Sequence, residues 1–436
     1  MDKKNFLFVL PWLPYPLKTG GHQAIFNGID AVNGYADNIV ITYIEDEDNA
    51  QIFEKKQLLA LFNGKITIEP YIRRKPKIQE HTNTGVIFEI CRILRSFRRI
   101  VKGYIKNVLK ADKCVPINQD NKPYLNWVTE LYPKDSAYVS FILDLIEKYD
   151  IKLVQCEMIR NASLVYSLPY TVKKVFVHHE LSNIVKGLRL INMPGNDVEK
   201  NSYLNFYRTN EVGVLNQYDA VITLSETDCE KLVSQGVTSL VYPSIAIVNT
   251  HSDDTMLASK YSRILSFIGT EDHSPNYTGI MWFLQNCWEK MLKVNNSYEL
   301  QIIGNWSDNT KANITSCYRN VRFHGFVENL SDAIRDTIMI VPILVGSGIR
   351  MKILEAASIG VPVVTTSIGV EGLPLKNGEH CFISDVPDDF IDSILKLDDP
   401  DLRKMFIRNS NAIIKKNYSF EVLRSNRLQL YNKLLA

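Results

Sequence analysis

Long apolar runs are missing from this chain. No stretch approaches 18 consecutive apolar residues, so no membrane-spanning helix is expected. The first apolar run, Phe6 to Leu10, stops at Pro11 and is too short for a signal peptide. Paired cysteines are missing too. The seven present, Cys91, Cys114, Cys156, Cys229, Cys287, Cys317 and Cys381, stand singly with no C-x-x-C. This argues against a disulfide framework or a thiolate zinc site and for reduced thiols in a cytoplasm. No histidine or carboxylate cluster has metal spacing, so neither a metal nor another cofactor is expected. No G-x-G-x-x-G follows a strand; the nearest turn, Gly346-Ser347-Gly348-Ile349-Arg350-Met351, lacks the third glycine. A dinucleotide-dependent oxidoreductase is disfavoured on that ground.

What the chain does have is length for two α/β domains: 436 residues exceed what one simple core holds. Its net charge is only +2 but is unevenly spread. Residues 71–113 carry twelve Lys or Arg against three acids, a net +9, which leaves −7 for the remainder. Val86, Ile90, Ile93, Leu94, Phe97 and their successors to Leu109 follow helical spacing, with Arg92, Arg95, Arg99, Lys102 and Lys106 between them. Two readings stay open for residues 85–111: an amphipathic helix at the cytoplasmic face of an anionic membrane, or a helix packed on its own domain with a solvated basic face. Nucleic acid is not an expected partner, since the basic face has no interleaved aromatics.

The stretch that organises the rest runs from Val341 to Thr366. Ile338 to Ile343 reads as a strand buried on both faces. A Gly346-Ser347-Gly348 turn follows, and then Ile349, Ile353, Leu354, Ala357 and Ile359 recur at helical spacing. Gly360 and Pro362 end that helix, and Val361 to Thr365 starts another strand. A glycine turn at a helix start presents backbone N–H groups to an anion. Arg350 and Lys352 lie where a first turn prefers acids, which makes sense if they flank a phosphate. Glu355, three residues on and on the same face, can accept from ribose hydroxyls. The plainer reading is a flexible turn and a Lys352–Glu355 surface pair.

These residues resemble the donor-site signature of glycosyltransferase family 4. Lys352 to Ala357 stand where that family has its glutamate-centred helix start, and Gly360, Pro362, Val363 and Val364 match the following strand. One departure is visible: eight positions before Glu355, where the family usually has a first glutamate, this chain has Ser347. The resemblance implies two Rossmann-like domains facing across a cleft (GT-B). It implies an N-terminal acceptor-side domain over residues 1–250, a nucleotide-sugar domain over 260–416 and a helix over 417–436 that crosses back. The segment from residue 249 to 259 reads as the linker.

The implied activity is transfer of a sugar from a nucleotide-diphosphate sugar to a glycan or lipid-linked acceptor, retaining and without a metal, in surface-polysaccharide or glycoconjugate synthesis. The implied catalytic residues are His179, Arg350 and Lys352, with His178 as the alternative histidine. The implied donor contacts are Gly20, Gly21, Gly346, Ser347, Gly348, Ile349 and Glu355, with Gly325 and Phe326 at the base. Ser274 and Pro275 are expected to start a helix after the strand Ile264 to Ile268. Two rivals remain: a non-catalytic GT-B subunit supporting a partner transferase, and a GT-B nucleotide-sugar epimerase.

Overall fold

The computed structural model describes residues 3–17, 19–47, 51–73, 129–191, 193, 195–244, 261–346 and 348–436. The basic segment 85–111, the linker 249–259 and Ser347 lie outside these residues.

The strands of the first half are β1 (Asn5–Val9), β2 (Asn38–Thr42), β3 (Ile44–Asp46), β4 (Ile66–Ile68), β5 (Tyr71–Arg73), β6 (Leu153–Glu157), β7 (Lys173–His178), β8 (Ala220–Thr223) and β9 (Leu240–Pro243). Seven of them form one parallel sheet in the order β4-β2-β1-β6-β7-β8-β9, while β3 and β5 pair separately. The second half has β10 (Ile264–Ile268), β11 (Glu299–Ile303), β12 (Val321–Gly325), β13 (Ile338–Val341), β14 (Val363–Thr365) and β15 (Phe382–Ile383), in the order β12-β11-β10-β13-β14-β15. Each sheet therefore grows outward from its first strand and then reverses, the doubly wound arrangement. The reversal lies between β1 and β6 in one sheet and between β10 and β13 in the other. Open α/β sheets bind ligands beyond the carboxyl ends of such strand pairs.

Both faces of each sheet are covered, and the strands show it residue by residue. Along β1, Leu7 and Val9 join one core while Phe6 and Phe8 join the other. Along β13, Ile338 and Ile340 face one core while Met339 and Val341 face the opposite one. A strand buried on both sides reads as a continuous apolar run, which is why these strands were visible in the sequence. Their ends are shorter than the runs: β13 stops at Val341 because Pro342 cannot donate to the ladder.

The helices that position the site are α1 (Gly20–Asp30), α2 (Ser182–Ile191), α3 (Asp197–Leu215), α4 (Glu226–Ser234), α5 (Ser274–Phe283), α6 (Met351–Ile359) and α7 (Phe420–Leu435). Helix α4 starts at a side-chain cap, with Ser225 Oγ accepting from Asp228 N at 3.0 Å. Helix α5 differs by one residue: His273 is the cap position and Ser274 is already helical, with Pro275 inside the first turn. Helix α6 also starts later than its apolar spacing suggests. Arg350 is its non-helical cap residue rather than a first-turn residue, because Gly346 (φ +144°) and Gly348 (φ +79°) carry the turn further along the chain. Gly360 at φ +84° ends α6 in the left-handed conformation.

Helix α7 lies against the N-terminal sheet. Its Leu430 and Tyr431 pack in the core that holds Phe6 and Phe8. Arg427, 2 % exposed, donates to Ser244 Oγ at 2.7 Å and to Gln155 Oε1 at 3.5 Å, and Arg424 donates to Ala31 O and Asn33 O.

Candidate active site

The two reversal points face each other, and two helix starts converge on the gap. A Cβ added to Gly20, at the first turn of α1, would come 3.0 Å from Met351 Cγ at the first turn of α6. A Cβ on Gly348 would lie 3.3 Å from the carbonyl oxygen of His179, past the end of β7. Gln23 Nε2 on α1 reaches Glu355 Oε1 on α6 at 3.5 Å. At the rim, Lys231 on α4 pairs with Glu371 at 2.7 Å, and Gly372 (φ +79°) comes close to Ser225. Ile349 touches the apolar cores of both halves. Glycine at positions 20 and 348 is thus a matter of room between two walls, and at 348 of backbone conformation as well.

Lys352 and Glu355 are not a surface pair. Lys352 Nζ donates to Asn276 Oδ1 at 2.8 Å and sits 4.8 Å above the Phe267 ring. Burial draws its pKa down to about 7, with Arg350 pushing the same way and Glu355 opposing. Glu355 moves in the other direction, up to about 7, again chiefly through burial. Among the described residues Lys352 has no carboxylate within ion-pair distance, so a half-buried ammonium rests on an amide oxygen and an aromatic face. An anion is what such a group lacks.

Asn276 is the positioning residue for this lysine. Its amide N donates to Thr270 O at 3.1 Å, which turns the oxygen toward Lys352. A Cβ on Gly269 would strike the Asn276 side chain at 2.5 Å, so the glycine after β10 makes room for it. Arg350 folds back over its own turn, donating to Gly348 O and, at 3.5 Å, to Ile368 O. Burial lowers its pKa, against the fields of Glu371, Asp228 and Glu180.

The two histidines after β7 part company. The His178 ring enters the core, where Nε2 meets Glu211 Oε1 at 2.9 Å and only 1 % of the side chain is exposed. Glu211 also accepts from Asn183 at 2.6 Å, so His178 belongs to a closed structural network. His179 Nε2 meets Glu157 Oε2 at 2.6 Å, and Gln155 donates to the other Glu157 oxygen at 2.6 Å. With Nε2 donating to a carboxylate, Nδ1 is the nitrogen a ligand hydroxyl could approach.

Gly325 (φ +67°) closes β12, and its carbonyl accepts from Gly304 N at 2.8 Å; Phe326 beyond it is 47 % exposed. Gly346 is brought to the turn, and Gly21 lies beside Trp12 and Met158. Two residues at the site were not foreseen: Asn276, and His273 just before α5. His273 is open to the cleft but hemmed in by protein. Its pKa is lowered first by burial, then by Lys352, Arg350 and Arg189, while Glu180 opposes. A histidine and an asparagine flanking Ser274-Pro275 at a helix start were the available signal.

Comparison with known proteins agrees with this fold. Residues 262–399 match the family model described as glycosyl transferases group 1. The sucrose-phosphate synthase of Thermosynechococcus elongatus superposes with TM-score 0.67 at 13 % identity, covering 99 % of each chain. Two parallel sheets superpose together. The chain has the GT-B fold. Other GT-B structures agree: S. aureus TarM, in complex with fondaparinux, alpha-GlcNAc-glycerol and UDP, gives TM-score 0.64 at 14 % identity over 98 % of this chain and 100 % of that one. Anabaena Alr3699/HepE, in complex with UDP, gives 0.61 at 11 % over 98 % and 100 %. An uncharacterized 44.6 kDa protein in the cps region of Klebsiella pneumoniae is 24 % identical over 257 residues, 56 % of this chain. The match spans 63 % of that relative's length.

Proposed function

We propose that this protein is a family 4-like, hexosyltransferase-type glycosyltransferase that moves a sugar from a nucleotide-diphosphate sugar to a glycan or lipid-linked acceptor. The single observation that carries the reading is Lys352: a half-buried ammonium with no carboxylate partner among the described residues, in the first turn of α6, whose Met351 faces the start of α1 across the cleft. Two helix starts and an uncompensated cation suit a diphosphate. In the proposed mechanism Lys352, Arg350 and the turn at Gly346 and Gly348 stabilise charge on the departing β-phosphate, without a metal ion. Glu355 holds the ribose, Gly20 and Gly21 close on the phosphates, and backbone at Gly325 and Phe326 borders the base. His179 Nδ1 accepts from a hydroxyl of the donor sugar. Retention of anomeric configuration is part of the proposal and rests on family resemblance.

Uridine is the proposed base, supported by the UDP named in the TarM and HepE structures. Polysaccharide synthesis is the proposed setting, supported by the cps-region relative. A cytoplasmic location with peripheral membrane contact belongs to the same reading; among the described residues no helix is long and apolar enough to cross a membrane. One observation favours a second reading: with Ser347 in place of a glutamate, the chain fits a non-catalytic GT-B subunit.

The deciding experiment is a thermal-shift screen with UDP, GDP, ADP, CMP and dTDP on the wild type and Lys352→Ala, followed by donor turnover. Ligand at a hundred times Kd stabilises by about 2.7 kcal/mol. One nucleoside diphosphate should shift the wild type and leave the variant unmoved. No shift with any of the five refutes the donor site. A shift without turnover selects the non-catalytic subunit, and turnover with no acceptor present selects an epimerase.

A further inference from the structure

The reversal point of the N-terminal sheet carries chemistry that donor binding does not use. The loop after β1 holds Trp12, and the turn after β6 holds Met158 and Arg160. Met158 has φ 64° and ψ 152°, a conformation that residues with a side chain rarely adopt. This strained turn ends β6 abruptly and sends the chain back so that the Arg160 guanidinium lies 5.7 Å over the Trp12 ring. Trp12 in turn meets the His22 ring edge-on at 5.8 Å and lies beside Gly21. The group is therefore built from the carboxyl ends of β1 and β6, the pair whose crevice a doubly wound sheet offers to a ligand.

Lys134 completes it. Its pKa is lowered first by burial and next by Arg160, so a half-buried lysine lies within the field of an exposed arginine. Among the described residues neither Lys134 nor Arg160 has a carboxylate within ion-pair distance. Glu130, whose field reaches Lys134, is already bound to Lys186 at 2.7 Å. Two neighbouring cations without a carboxylate, one of them lying over an indole ring, suit an anion supplied from outside.

We propose that Arg160, lying over Trp12, and Lys134 form a subsite for an anionic group carried by the acceptor, a phosphate ester or a carboxylate. The inference rests on the transferase reading and assigns the chemistry of its acceptor: an acidic saccharide or a phosphate-linked one, with the acid held on the N-terminal side of the cleft. Arg160 supplies a planar fork suited to either group, and Lys134 a second charge behind it. Neither touches the reacting atoms, so both act on acceptor affinity and positioning.

Trp12 provides the readout. Its indole N–H is buried without a hydrogen-bond partner, so its resonance responds to a charge placed beside it. The chain has five tryptophans, so indole-15N labelling gives five signals, and Trp12→Phe assigns the relevant one. The full-length protein is titrated with glycerol 1-phosphate, glucuronic acid and, as neutral controls, glycerol and glucose. A saturable shift of the Trp12 signal with one or both acids, absent with the neutral controls, is expected, and the stronger acid names the group. Arg160→Gln should weaken the response at least tenfold and Arg160→Gln with Lys134→Gln should abolish it. Lys352→Ala should retain it, which separates this subsite from the donor phosphates. Arg160 is exposed, so its single variant keeps the test valid if the double variant does not fold. The proposal is overturned if neither acid gives a saturable shift, if Arg160→Gln leaves the response unchanged, or if Lys352→Ala removes it.

Discussion

Replacing Lys352 by methionine should make the protein more stable while it removes nucleotide binding. Burial draws the lysine pKa from 10.5 to about 7. At about 1.4 kcal/mol per pH unit, holding this group as an ammonium costs the fold about 4–5 kcal/mol relative to the unfolded chain. Methionine keeps the length and apolar bulk of the side chain and removes that cost. Against the gain stand the contact with the Phe267 face and the hydrogen bond to Asn276 Oδ1, about 1–1.5 kcal/mol each. A net stabilisation of about 1–3 kcal/mol remains.

The assay is chemical denaturation of both proteins from pH 7 to pH 10, with nucleoside diphosphate added in a parallel series. Between pH 7 and 10.5 the unfolded lysine holds a proton that the folded one has lost. Wild-type stability relative to Lys352→Met should therefore rise with pH through this window, the buried thiols Cys156, Cys287 and Cys381 affecting both curves alike above about pH 9. The nucleotide should stabilise the wild type and not the variant. A variant destabilised by more than about 1 kcal/mol at pH 7, or one that still binds nucleotide, would refute the reasoning, because the lysine would then be a packing element and not a strained ligand for phosphate.

The same lysine makes nucleotide affinity pH-dependent: a bound phosphate favours the ammonium, so affinity should fall about 30–50-fold from pH 7 to pH 9 by calorimetry, while Lys352→Ala should give no binding heat at either pH. Two helical glycines should respond to alanine with opposite signs in denaturant titrations. Gly279→Ala places a Cβ 2.5 Å from Pro342 O and should cost at least about 2 kcal/mol, whereas Gly213→Ala meets nothing within 4 Å and should gain about 0.5–1 kcal/mol. Arg427→Ala removes the cation that joins α7 to Ser244 and Gln155 and should cost about 2–4 kcal/mol of N-terminal stability, measured as the lowest transition in a melting curve.

The sheets were legible in the sequence because burial on both faces leaves continuous apolar runs such as Phe6 to Leu10 and Ile338 to Ile343. Their ends were less legible. Pro342 cuts β13 short, and the left-handed glycines at 346 and 348 delay α6, so that Arg350 caps the helix it was expected to occupy. Lys352 and Glu355 were visible as a pair at helical spacing, but whether Glu355 faced water or a second wall depends on α1, whose Gln23 meets it from more than 300 positions away in the chain. Periodicity cannot carry that information. His178 and His179 pose the same difficulty in miniature. Adjacent residues at a strand end point to opposite sides, and only the partners decide which becomes structural. Glu211, on α3, draws His178 into the core, and Glu157, on β6, takes one nitrogen of His179 and leaves the other.

The residues that sequence reasoning missed share one property: each acts through a contact with a distant element. Asn276 matters because Gly269 leaves it room and Lys352 needs an acceptor. His273 matters because the cleft brings Arg189 and Glu180 to it from the other half of the chain. Trp12 and Arg160 matter because β1 and β6 are neighbours in the sheet, although about 150 positions separate them. A family signature marks the proposed donor side because one continuous segment, Gly346 to Glu355, supplies most of it. The proposed acceptor side has no such segment. Its groups come from separate loops gathered by the strand order, and that order, more than any motif, specifies what the N-terminal half can hold.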